Sequence, residues 1–288
     1  MTVDVEDYFH VTAFAKDINR EDWHSLEYRA EQNTERVLKL FSDSGVKATF
    51  FVLGWIAKRS PSLIKKIYAE GHEVACHGMS HQLVYQQTPT IFFEETRDAK
   101  HMLEDLIGDT VLGYRAASYS IINSSLWALD MLEDLGFKYD SSIFPIRHDI
   151  YGMPKAPRFP FRPTSGQLVE IPLTTVELLG CRLPCGGGGY FRILPYSLSK
   201  SGLRRVNSKD KMPGVFYFHP WEIDVDQPRM KTSLLSRFRH YHNLGHTKSR
   251  LLQLLKDFSW NRMDQVFLKS VQACSVEKVS LAARDSLL

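Results

Sequence analysis

The chain has 288 residues, of which 43% are hydrophobic and 24% charged, a composition typical of a globular protein with one large core. The 36 basic residues are offset by 33 acidic ones, leaving a formal charge of +3, so nucleic acid is not an expected partner. No run of about 20 apolar residues predicts a transmembrane segment. The four cysteines include no Cys-x-x-Cys pair, and we expect reduced, buried thiols.

Short apolar runs alternate with helical stretches between residues 31 and 140. Helices are predicted over residues 31–44, 61–70, 91–107 and 124–135, and each ends at a glycine, a residue that commonly closes helices. Strands are predicted over residues 48–52, 73–76, 111–114 and 137–139. This alternation favours a parallel sheet with right-handed crossovers, either open or closed as a barrel.

The pattern is less regular after residue 140. Two further strands are predicted over residues 168–171 and 215–218, and the proline-rich stretch 149–167 is expected to form loops over the mouth of a barrel. Residues 232–258 form a basic, helix-like stretch that we interpret as an appendage with a solvated face, and binding to a membrane or polyanion is the less favoured alternative. From residue 271 onward we expect a frayed tail.

The first candidate metal ligands are His77 and His81, in Glu-Val-Ala-Cys-His-Gly-Met-Ser-His. Zincin proteins share this His-x-x-x-His spacing, but their motif requires a glutamate where this chain has Gly78. The residues before His77 are strand-like, so both histidines are expected at the C-terminal end of a strand, where α/β folds carry their chemistry. Considered alone, the pair is also compatible with two histidines that only form local hydrogen bonds.

Three carboxylates, Asp4, Glu6 and Asp7, stand within four positions at the end of a predicted strand over residues 2–5. They repel one another, and a cation would relieve that repulsion. On an extended chain Asp4 and Glu6 point to the same side, and Asp7 points away unless the strand has already ended. One carboxylate could therefore join the histidines at a metal while Asp4 accepts a proton from water. A solvated acidic turn is the alternative.

Two more polar residues end predicted strands. His219 follows the apolar run 215–218, at a position where a histidine can protonate a leaving group; a core histidine is the alternative. Arg115 follows the strand predicted over residues 111–114 and could hold a carboxylate through paired hydrogen bonds; a surface ion pair is the alternative. Four strand ends thus supply acidic, imidazole and guanidinium groups, a combination that indicates an active site.

A glycine run, Gly186–Gly189, invites comparison with a phosphate-binding loop. It lacks the Gly-Lys-Ser/Thr ending of that motif, so nucleotide binding is disfavoured. Flexible backbone beside a sugar chain, with Tyr190 and Phe191 as stacking surfaces, and a plain structural loop are equally compatible with the run.

Five motifs follow one another along the chain. They are Val-Asp-Val-Glu-Asp-Tyr-Phe-His (3–10), His-Gly-Met-Ser-His (77–81), Gly-Phe-Lys-Tyr-Asp-Ser-Ser (136–142), Gly-Gly-Gly-Gly-Tyr-Phe-Arg (186–192) and Phe-His-Pro-Trp-Glu (218–222). In this order they resemble the polysaccharide deacetylases that share the NodB homology domain (carbohydrate esterase family 4), and most closely the subgroup found with exopolysaccharide loci. The resemblance covers roughly residues 1–222. It implies an α/β fold, a distorted (β/α) barrel with fewer than eight regular units, in a catalytic domain over residues 1–222 followed by a helical extension over residues 223–288 packed on the barrel.

By position, the resemblance implies that Asp4 is the catalytic base and His219 the catalytic acid. Arg115 matches the residue that orients the base, and the backbone N–H of Tyr119 matches the donor to the oxyanion. The family usually has proline two residues after this arginine. This chain has Ala117 there, which loosens the predicted geometry of the loop without removing a functional group.

The same resemblance assigns His77 and His81 to a divalent metal, most commonly zinc. The family's adjacent Asp-Asp pair is spread here over Asp4-Val5-Glu6-Asp7, so the third ligand is either Glu6 or Asp7. Residue type favours Asp7, and strand geometry favours Glu6.

The implied reaction is hydrolysis of N-acetyl groups on an amino-sugar polysaccharide or its oligosaccharide or lipid-linked precursor. The alternatives are hydrolysis of another non-peptide C–N bond and a carbohydrate-binding relative without turnover. No leader is recognisable, so we expect a cytoplasmic location, or a periplasmic one if a segment precedes Met1. The sequence does not predict an oligomeric state.

Overall fold

The computed structural model describes residues 1–148, 150–163, 166–269 and 278–281. Seven parallel strands form one curled, open sheet in the order β10-β1-β2-β3-β4-β5-β7. The strands of this sheet are β1 (Thr2–Val5), β2 (Thr49–Val52), β3 (Glu73–Cys76), β4 (Gly113–Tyr114), β5 (Tyr139–Asp140), β7 (Val169–Glu170) and β10 (Tyr217–Phe218). The predicted distorted (β/α) barrel with fewer than eight units is confirmed.

Nine α-helices occur in the described residues, and most connect or flank strands of the sheet. They are α1 (Ala30–Asp43), α2 (Gly54–Arg59), α3 (Pro61–Ala69), α4 (Pro89–Ile107), α5 (Trp127–Asp134), α6 (Gly188–Ile193), α7 (Tyr196–Arg205), α8 (Leu234–Tyr241) and α9 (Leu244–Asp257). No helix in the described part of the chain is long and apolar enough to cross a membrane.

Buried residues on both faces of the sheet explain why its strands are apolar. Phe50 and Val52 of β2 pack in the largest hydrophobic cluster, and Phe51, between them, packs in a second cluster on the other face. Parallel strands covered on both sides have this continuous apolar character. The largest cluster also contains Leu251 and Leu254 of α9, so α9 packs on the same core as the sheet.

The glycines predicted to close four helices have the expected backbone conformation. Gly45, Gly71, Gly108 and Gly136 all have φ between 65° and 82°, the left-handed region that ends helices and that glycine occupies without a Cβ penalty. The predicted helices 31–44, 61–70 and 91–107 agree with α1, α3 and α4 to within two residues at each end.

Several elements were not predicted. The six-residue α2 begins directly after β2 without a turn signal, and β8 (Thr175–Leu178) and β9 (Cys181–Pro184) form an antiparallel hairpin. Residues 232–258 are two helices rather than one, because Asn243 lies between them in the left-handed conformation, with φ 57°.

Some predictions concern residues near the gaps in the structure. The predicted tail lies mostly outside the described residues; within it, β11 (Lys278–Val279) pairs in parallel with β6 (Arg162–Pro163). Cys76 and Cys185 are buried free thiols, whereas Cys181 is a free thiol on the exposed hairpin, so the expected burial is wrong for that residue. Cys274 lies outside the described residues.

Candidate active site

The candidate site lies at the C-terminal edge of the sheet. Glu6 follows β1, His77 follows β3, Arg115 follows β4 and His219 follows β10. Because the strands are parallel, their carboxyl ends meet at one edge, where α/β folds place their ligands. The strand order sets β10 beside β1 and β4 beside β3, which brings together residues that are more than 200 positions apart in the chain.

Three potential metal ligands converge in the buried part of this edge. The Nε2 atoms of His77 and His81 each lie 3.0 Å from Oε1 of Glu6. All three side chains are buried, and their ligand atoms lie within 4.8 Å of one another. Two imidazoles and one carboxylate are the donor set of open divalent metal sites that keep positions for water.

The hydrogen bonds of His77 strengthen this interpretation. Its Nδ1 lies 2.7 Å from the backbone oxygen of Arg115, and a carbonyl oxygen can only accept, so Nδ1 carries the proton. In the neutral ring, Nε2 then presents a lone pair to a carboxylate oxygen. Two lone pairs at 3.0 Å require a cation or an additional proton between them, and a backbone-bonded Nδ1–H is the usual arrangement behind a metal-binding Nε2.

The loop that carries His81 is held by backbone contacts. Its two left-handed residues are Gly78, with φ 76°, and His81, with φ 51°. The carbonyls of Gly78 and Met79 accept hydrogen bonds from the first two N–H groups of α2, at 2.8 and 2.9 Å. Arg20 donates from Nε to the carbonyl of Ser80 at 3.0 Å. The helix that sequence reasoning missed therefore positions the second histidine.

Asp7 lies away from the histidines. Its Oδ2 accepts hydrogen bonds from the backbone N–H groups of Arg29 and Ala30, at 2.6 and 2.7 Å, and its Oδ1 accepts from Tyr8 at 2.8 Å. Burial raises the pKa of Asp7 to about 6, against the effect of these bonds. Asp7 thus accepts hydrogen bonds from the backbone N–H groups at the start of α1. The expectation from residue type, that Asp7 is the metal ligand, does not agree with this position.

Asp4 is fixed from two sides. Its Oδ1 accepts from Nη1 of Arg115 at 2.6 Å, and its Oδ2 accepts from the hydroxyl of Tyr119 at 3.3 Å. Arg115 is fully buried and also bonds Thr2 and Ser141. Burial alone would lower the pKa of Arg115, but the charge of Asp4 raises it. The guanidinium therefore stays charged. It holds Asp4 through the bond from Nη1, whereas paired hydrogen bonds were expected from the sequence.

The backbone N–H of Tyr119 does not fit the role expected from the resemblance. It donates to the carbonyl of Ala116 at 3.1 Å, within a tight turn in which Ser118 and Tyr119 both have positive φ. Because this N–H already has an acceptor inside its own turn, it is not presented to an oxyanion. The contact of Tyr119 with the site is made by its hydroxyl instead.

His219 is paired with a carboxylate that the sequence analysis did not single out. Nδ1 of His219 lies 2.8 Å from Oε1 of Glu222, and Glu222 in turn accepts from Nε of Arg192 at 2.6 Å. The imidazole stacks on Trp221 with an interplanar angle of 17°. Its Nε2 lies 3.8 Å from Oε1 of Glu6, so this nitrogen faces the metal-ligand cluster.

The charge environment favours a protonated His219. Burial lowers its pKa, but Glu6 and Glu222 together raise it to about 9. A cation on Glu6 would offset the part due to Glu6 and leave the part due to Glu222. Glu222 lies in the motif over residues 218–222, and Arg192 lies in the motif over residues 186–192. A glutamate three positions after His219 is the sequence signal that could have identified the His219–Glu222 pair.

A cleft leads from this site to the surface. Asp4, Glu6, His81 and His219 line a cavity of about 200 Å³. It adjoins a larger cavity of about 590 Å³, and the two share lining residues that include Tyr151, Tyr217 and Arg239. Hydroxyl-bearing aromatic rings beside an extended cleft are suited to stacking and hydrogen bonding with sugars.

The glycine run has a structural explanation. A Cβ on Gly186 would lie 2.6 Å from the carbonyl oxygen of Val215, and a Cβ on Gly187 would lie 1.9 Å from that of Tyr217. Gly187 also pairs with Tyr217 as an isolated parallel bridge. The run therefore allows close contact with β10, and only Gly189 of the four lines the cleft.

Comparison with known proteins finds two matching sequence profiles. That of the polysaccharide deacetylase family matches residues 22–139, and that of a domain of unknown function (DUF3473) matches residues 141–268. The chain is therefore similar to polysaccharide deacetylases over residues 22–139. His77, His81, Arg115 and Tyr119 lie in the first segment, and His219 lies in the second. The predicted resemblance is confirmed at family level, and the exopolysaccharide subgroup stays a prediction.

Individual relatives cover the chain in part. A chitooligosaccharide deacetylase of Bradyrhizobium sp. (strain ANU 289) is 32% identical over 34% of this chain and 43% of its own length. A peptidoglycan deacetylase of Helicobacter pylori is 30% identical over 40% of this chain and 39% of its own length. The chain thus matches less than half the length of these curated relatives.

A solved structure supports the fold over almost the whole chain. The crystal structure of a candidate polysaccharide deacetylase from Mycobacterium smegmatis has a TM-score of 0.64, with 18% sequence identity, and covers 97% of this chain and 92% of its own. At this identity the likeness concerns architecture alone.

Proposed function

We propose that this protein is a divalent-metal-dependent deacetylase that removes N-acetyl groups from an amino-sugar polysaccharide or its precursor. The observation that carries the proposal is the convergence of His77 and His81 on Oε1 of Glu6, with the proton of His77 held on Nδ1 by a backbone carbonyl. This cluster lies in the same cleft as a clamped aspartate and a histidine with a raised pKa. The match of residues 22–139 to the polysaccharide deacetylase family supports the choice of reaction.

Glu6, His77 and His81 would hold the metal, and zinc is the ion that suits two imidazoles and one carboxylate best. When bound, a divalent cation supplies polarisation of the acetyl carbonyl and a lowered pKa for water. Asp7 is not part of the proposed ligand set, because the backbone N–H of Tyr8 already bonds its Oδ1 and those of Arg29 and Ala30 already bond its Oδ2.

Asp4 and His219 would each carry out one of the two proton transfers. Asp4, held in place by Arg115, accepts the proton of the water that attacks the carbonyl carbon; a carboxylate with one donor on each oxygen still has free lone pairs. His219, whose Nδ1 is bonded to Glu222, donates its Nε2 proton to the amide nitrogen as the C–N bond breaks. The products are acetate and a free amino sugar.

The proposed physiological setting is exopolysaccharide biosynthesis. The motifs Val-Asp-Val-Glu-Asp-Tyr-Phe-His and Gly-Gly-Gly-Gly-Tyr-Phe-Arg support it, since they resemble the subgroup associated with such loci. The cleft supports an extended substrate, because it continues beyond the catalytic groups for about another 590 Å³ and would accommodate further sugar units.

The direct test is release of acetate from N-acetylglucosamine oligomers. We expect the zinc-loaded protein to release acetate and a chelator to stop it. Asp4→Asn and His77→Ala should each lower the rate by about a thousandfold or more, because each removes a group needed for the chemistry. Retention of full metal-dependent release by either variant would contradict the assignment.

The same assay separates the alternatives. A hydrolase of another C–N bond would leave these oligomers intact and cleave other amides. A binding protein without turnover would bind the oligomers and release no acetate. The presence of Asp4 and His219 beside the metal-ligand cluster argues against the latter, because binding alone needs neither a base nor an acid.

A further inference from the structure

The short helix α8 exposes an unusual amount of apolar surface. Leu234 is 81% exposed, Leu235 59% and Phe238 48%. Leu234 and Phe238 are four residues apart and therefore lie on the same face of the helix. Elsewhere α8 is well anchored, since His240 is buried and stacks on Trp221 with ring centroids 4.1 Å apart. The exposed side chains thus belong to a fixed element.

The segment that carries this apolar face is basic, although the carboxylate of Asp17 lies near α8 and accepts from the hydroxyl of Thr232. Residues 227–256 contain seven lysines and arginines and no aspartate or glutamate. Arg229, Lys231, Arg237 and Lys248 are exposed. The nearest acidic residues in sequence are Asp226 and Asp257. An exposed apolar face flanked by cations is the pattern of a helix that lies at the surface of an anionic bilayer.

The position of α8 connects this surface to the active-site cleft. Leu235, Ser236 and Arg239 line the larger cavity, and Arg239 also lines the smaller cavity that contains Glu6 and His219. Leu234 and Phe238 do not line either cavity. One side of α8 therefore forms a wall of the cleft, while the adjacent side points outward.

We propose that the face of α8 formed by Leu234 and Phe238, together with Lys231 and Arg237, docks the protein on an anionic lipid surface with the cleft mouth next to the bilayer. A soluble polyanion would contact the cations but would leave the exposed leucine and phenylalanine in water. A bilayer contacts both groups, because the apolar side chains enter the headgroup boundary while the cations contact lipid phosphates. Docking itself does not depend on the proposed function; only the presentation of a lipid-linked substrate to the cleft rests on it.

Sedimentation of the full chain with vesicles tests the proposal. The probes are vesicles of phosphatidylcholine alone and of phosphatidylcholine with about one third phosphatidylglycerol, at low and high salt. We expect binding to the anionic vesicles that is at least about tenfold stronger than to the neutral ones, and weaker binding at high salt. Equal binding to both compositions, or no binding to either, would overturn the proposal.

Two double variants separate the apolar and electrostatic contributions. Leu234→Gln/Phe238→Gln and Lys231→Glu/Arg237→Glu should each weaken binding to anionic vesicles by about tenfold or more. Matched controls away from α8 are Ile91→Gln, which is 45% exposed in the wild type, and Lys58→Glu/Lys65→Glu, which makes the same charge change at exposed positions. Controls that weaken binding as much as the α8 variants would show that net charge or general hydrophobicity is responsible.

Other occupants of the face give different results. If a second copy of the chain covers it, light scattering will show a dimer that Leu234→Gln/Phe238→Gln dissociates, with no vesicle binding. If an acidic polysaccharide occupies it, Lys231→Glu/Arg237→Glu will abolish polysaccharide binding and the apolar variant will retain it. Either result replaces the lipid proposal.

Measurement of acetate release distinguishes a failure of membrane docking from a failure of the proposed deacetylase function. On soluble oligomers, the Leu234→Gln/Phe238→Gln variant should react at the wild-type rate, because neither side chain lines the cleft. Vesicle binding without acetate release would leave docking intact and contradict the deacetylase. Acetate release without vesicle binding would contradict docking alone.

Discussion

Glu6 and Asp7 are neighbouring carboxylates with different surroundings. Oε1 of Glu6 faces two imidazoles at 3.0 Å, whereas both oxygens of Asp7 accept backbone N–H groups. Burial raises the pKa of Glu6, but the charges of His81 and His219 and the hydrogen bonds of the histidines lower it well below the usual value. One residue is therefore placed for a cation and the other for the start of a helix.

This difference predicts opposite effects of two similar substitutions. Glu6→Gln should abolish stoichiometric zinc binding, measured by calorimetry, because it removes the negative ligand. Asp7→Asn should retain zinc binding and lower the free energy of unfolding by about 1–3 kcal/mol, because the amide NH₂ would face backbone donors. Loss of zinc binding in a folded Asp7→Asn variant would instead favour Asp7 as the ligand.

The pairing of His219 with Glu222 predicts a shift in the pH profile. The raised pKa of His219 means that the proton needed for the leaving group is present below that pKa and lost as pH rises through it. Glu222→Gln removes the anion that stabilises the imidazolium, so the alkaline limb of kcat against pH should move to lower pH by about one unit. Glu222→Asp, which keeps the charge, is the matched control, and an unmoved limb in Glu222→Gln would exclude this pairing from catalysis.

Among the helices and strands, the segments with strong local sequence signals are the ones whose bounds agree best with the prediction. Helices α1, α3 and α4 have a periodic apolar face and a glycine with positive φ after their last turn. The six-residue α2, which was not predicted, lacks these signals, and strands β4, β5 and β10 were predicted at the right places but are only two residues long. Their conformation is imposed by neighbours, such as the carbonyls of Gly78 and Met79 that accept from the start of α2.

The packing of the glycine run, Gly186–Gly189, against β10 can be tested by substitution. Gly187→Ala should lower the free energy of unfolding by about 3 kcal/mol or more, because its Cβ would lie 1.9 Å from a carbonyl of β10 and its φ is 120°. Gly189→Ala is the control: its Cβ would meet only Arg192 Nη2 at 4.0 Å, so we expect a change within about 0.5 kcal/mol. Denaturant unfolding measures both. Similar small effects would show that the run is not packed against β10.

At the scale of the molecule, the proposed metal ligands connect separate parts of the sheet. Glu6 follows β1, while His77 and His81 follow β3, with β2 between those strands. A cation held by all three side chains would bind the folded chain and not the unfolded one, which converts binding free energy into stability.

We therefore expect zinc at about a hundredfold excess over its dissociation constant to raise Tm by about 5–8 °C, and a chelator to reverse the change. Glu6→Gln should remove this response, whereas Asp7→Asn should melt at lower temperature and keep it. Thermal unfolding followed by circular dichroism measures the response. A wild-type Tm that is indifferent to zinc and chelator would contradict a tight metal site.

The parallel α/β architecture could be predicted from the sequence, because apolar runs, helical periodicity and glycine stops are local properties of the chain. The sequence also identified Asp4, His77, His81, Arg115 and His219 as candidates, since each lies near or beyond the C-terminal end of a predicted strand. Only the tertiary structure separated Glu6 from Asp7, moved the contact of Tyr119 from its N–H to its hydroxyl, and joined Glu222 and Arg192 to His219. These choices depend on distances between side chains from different strand ends, which are fixed by the packing of the sheet and not by any one segment.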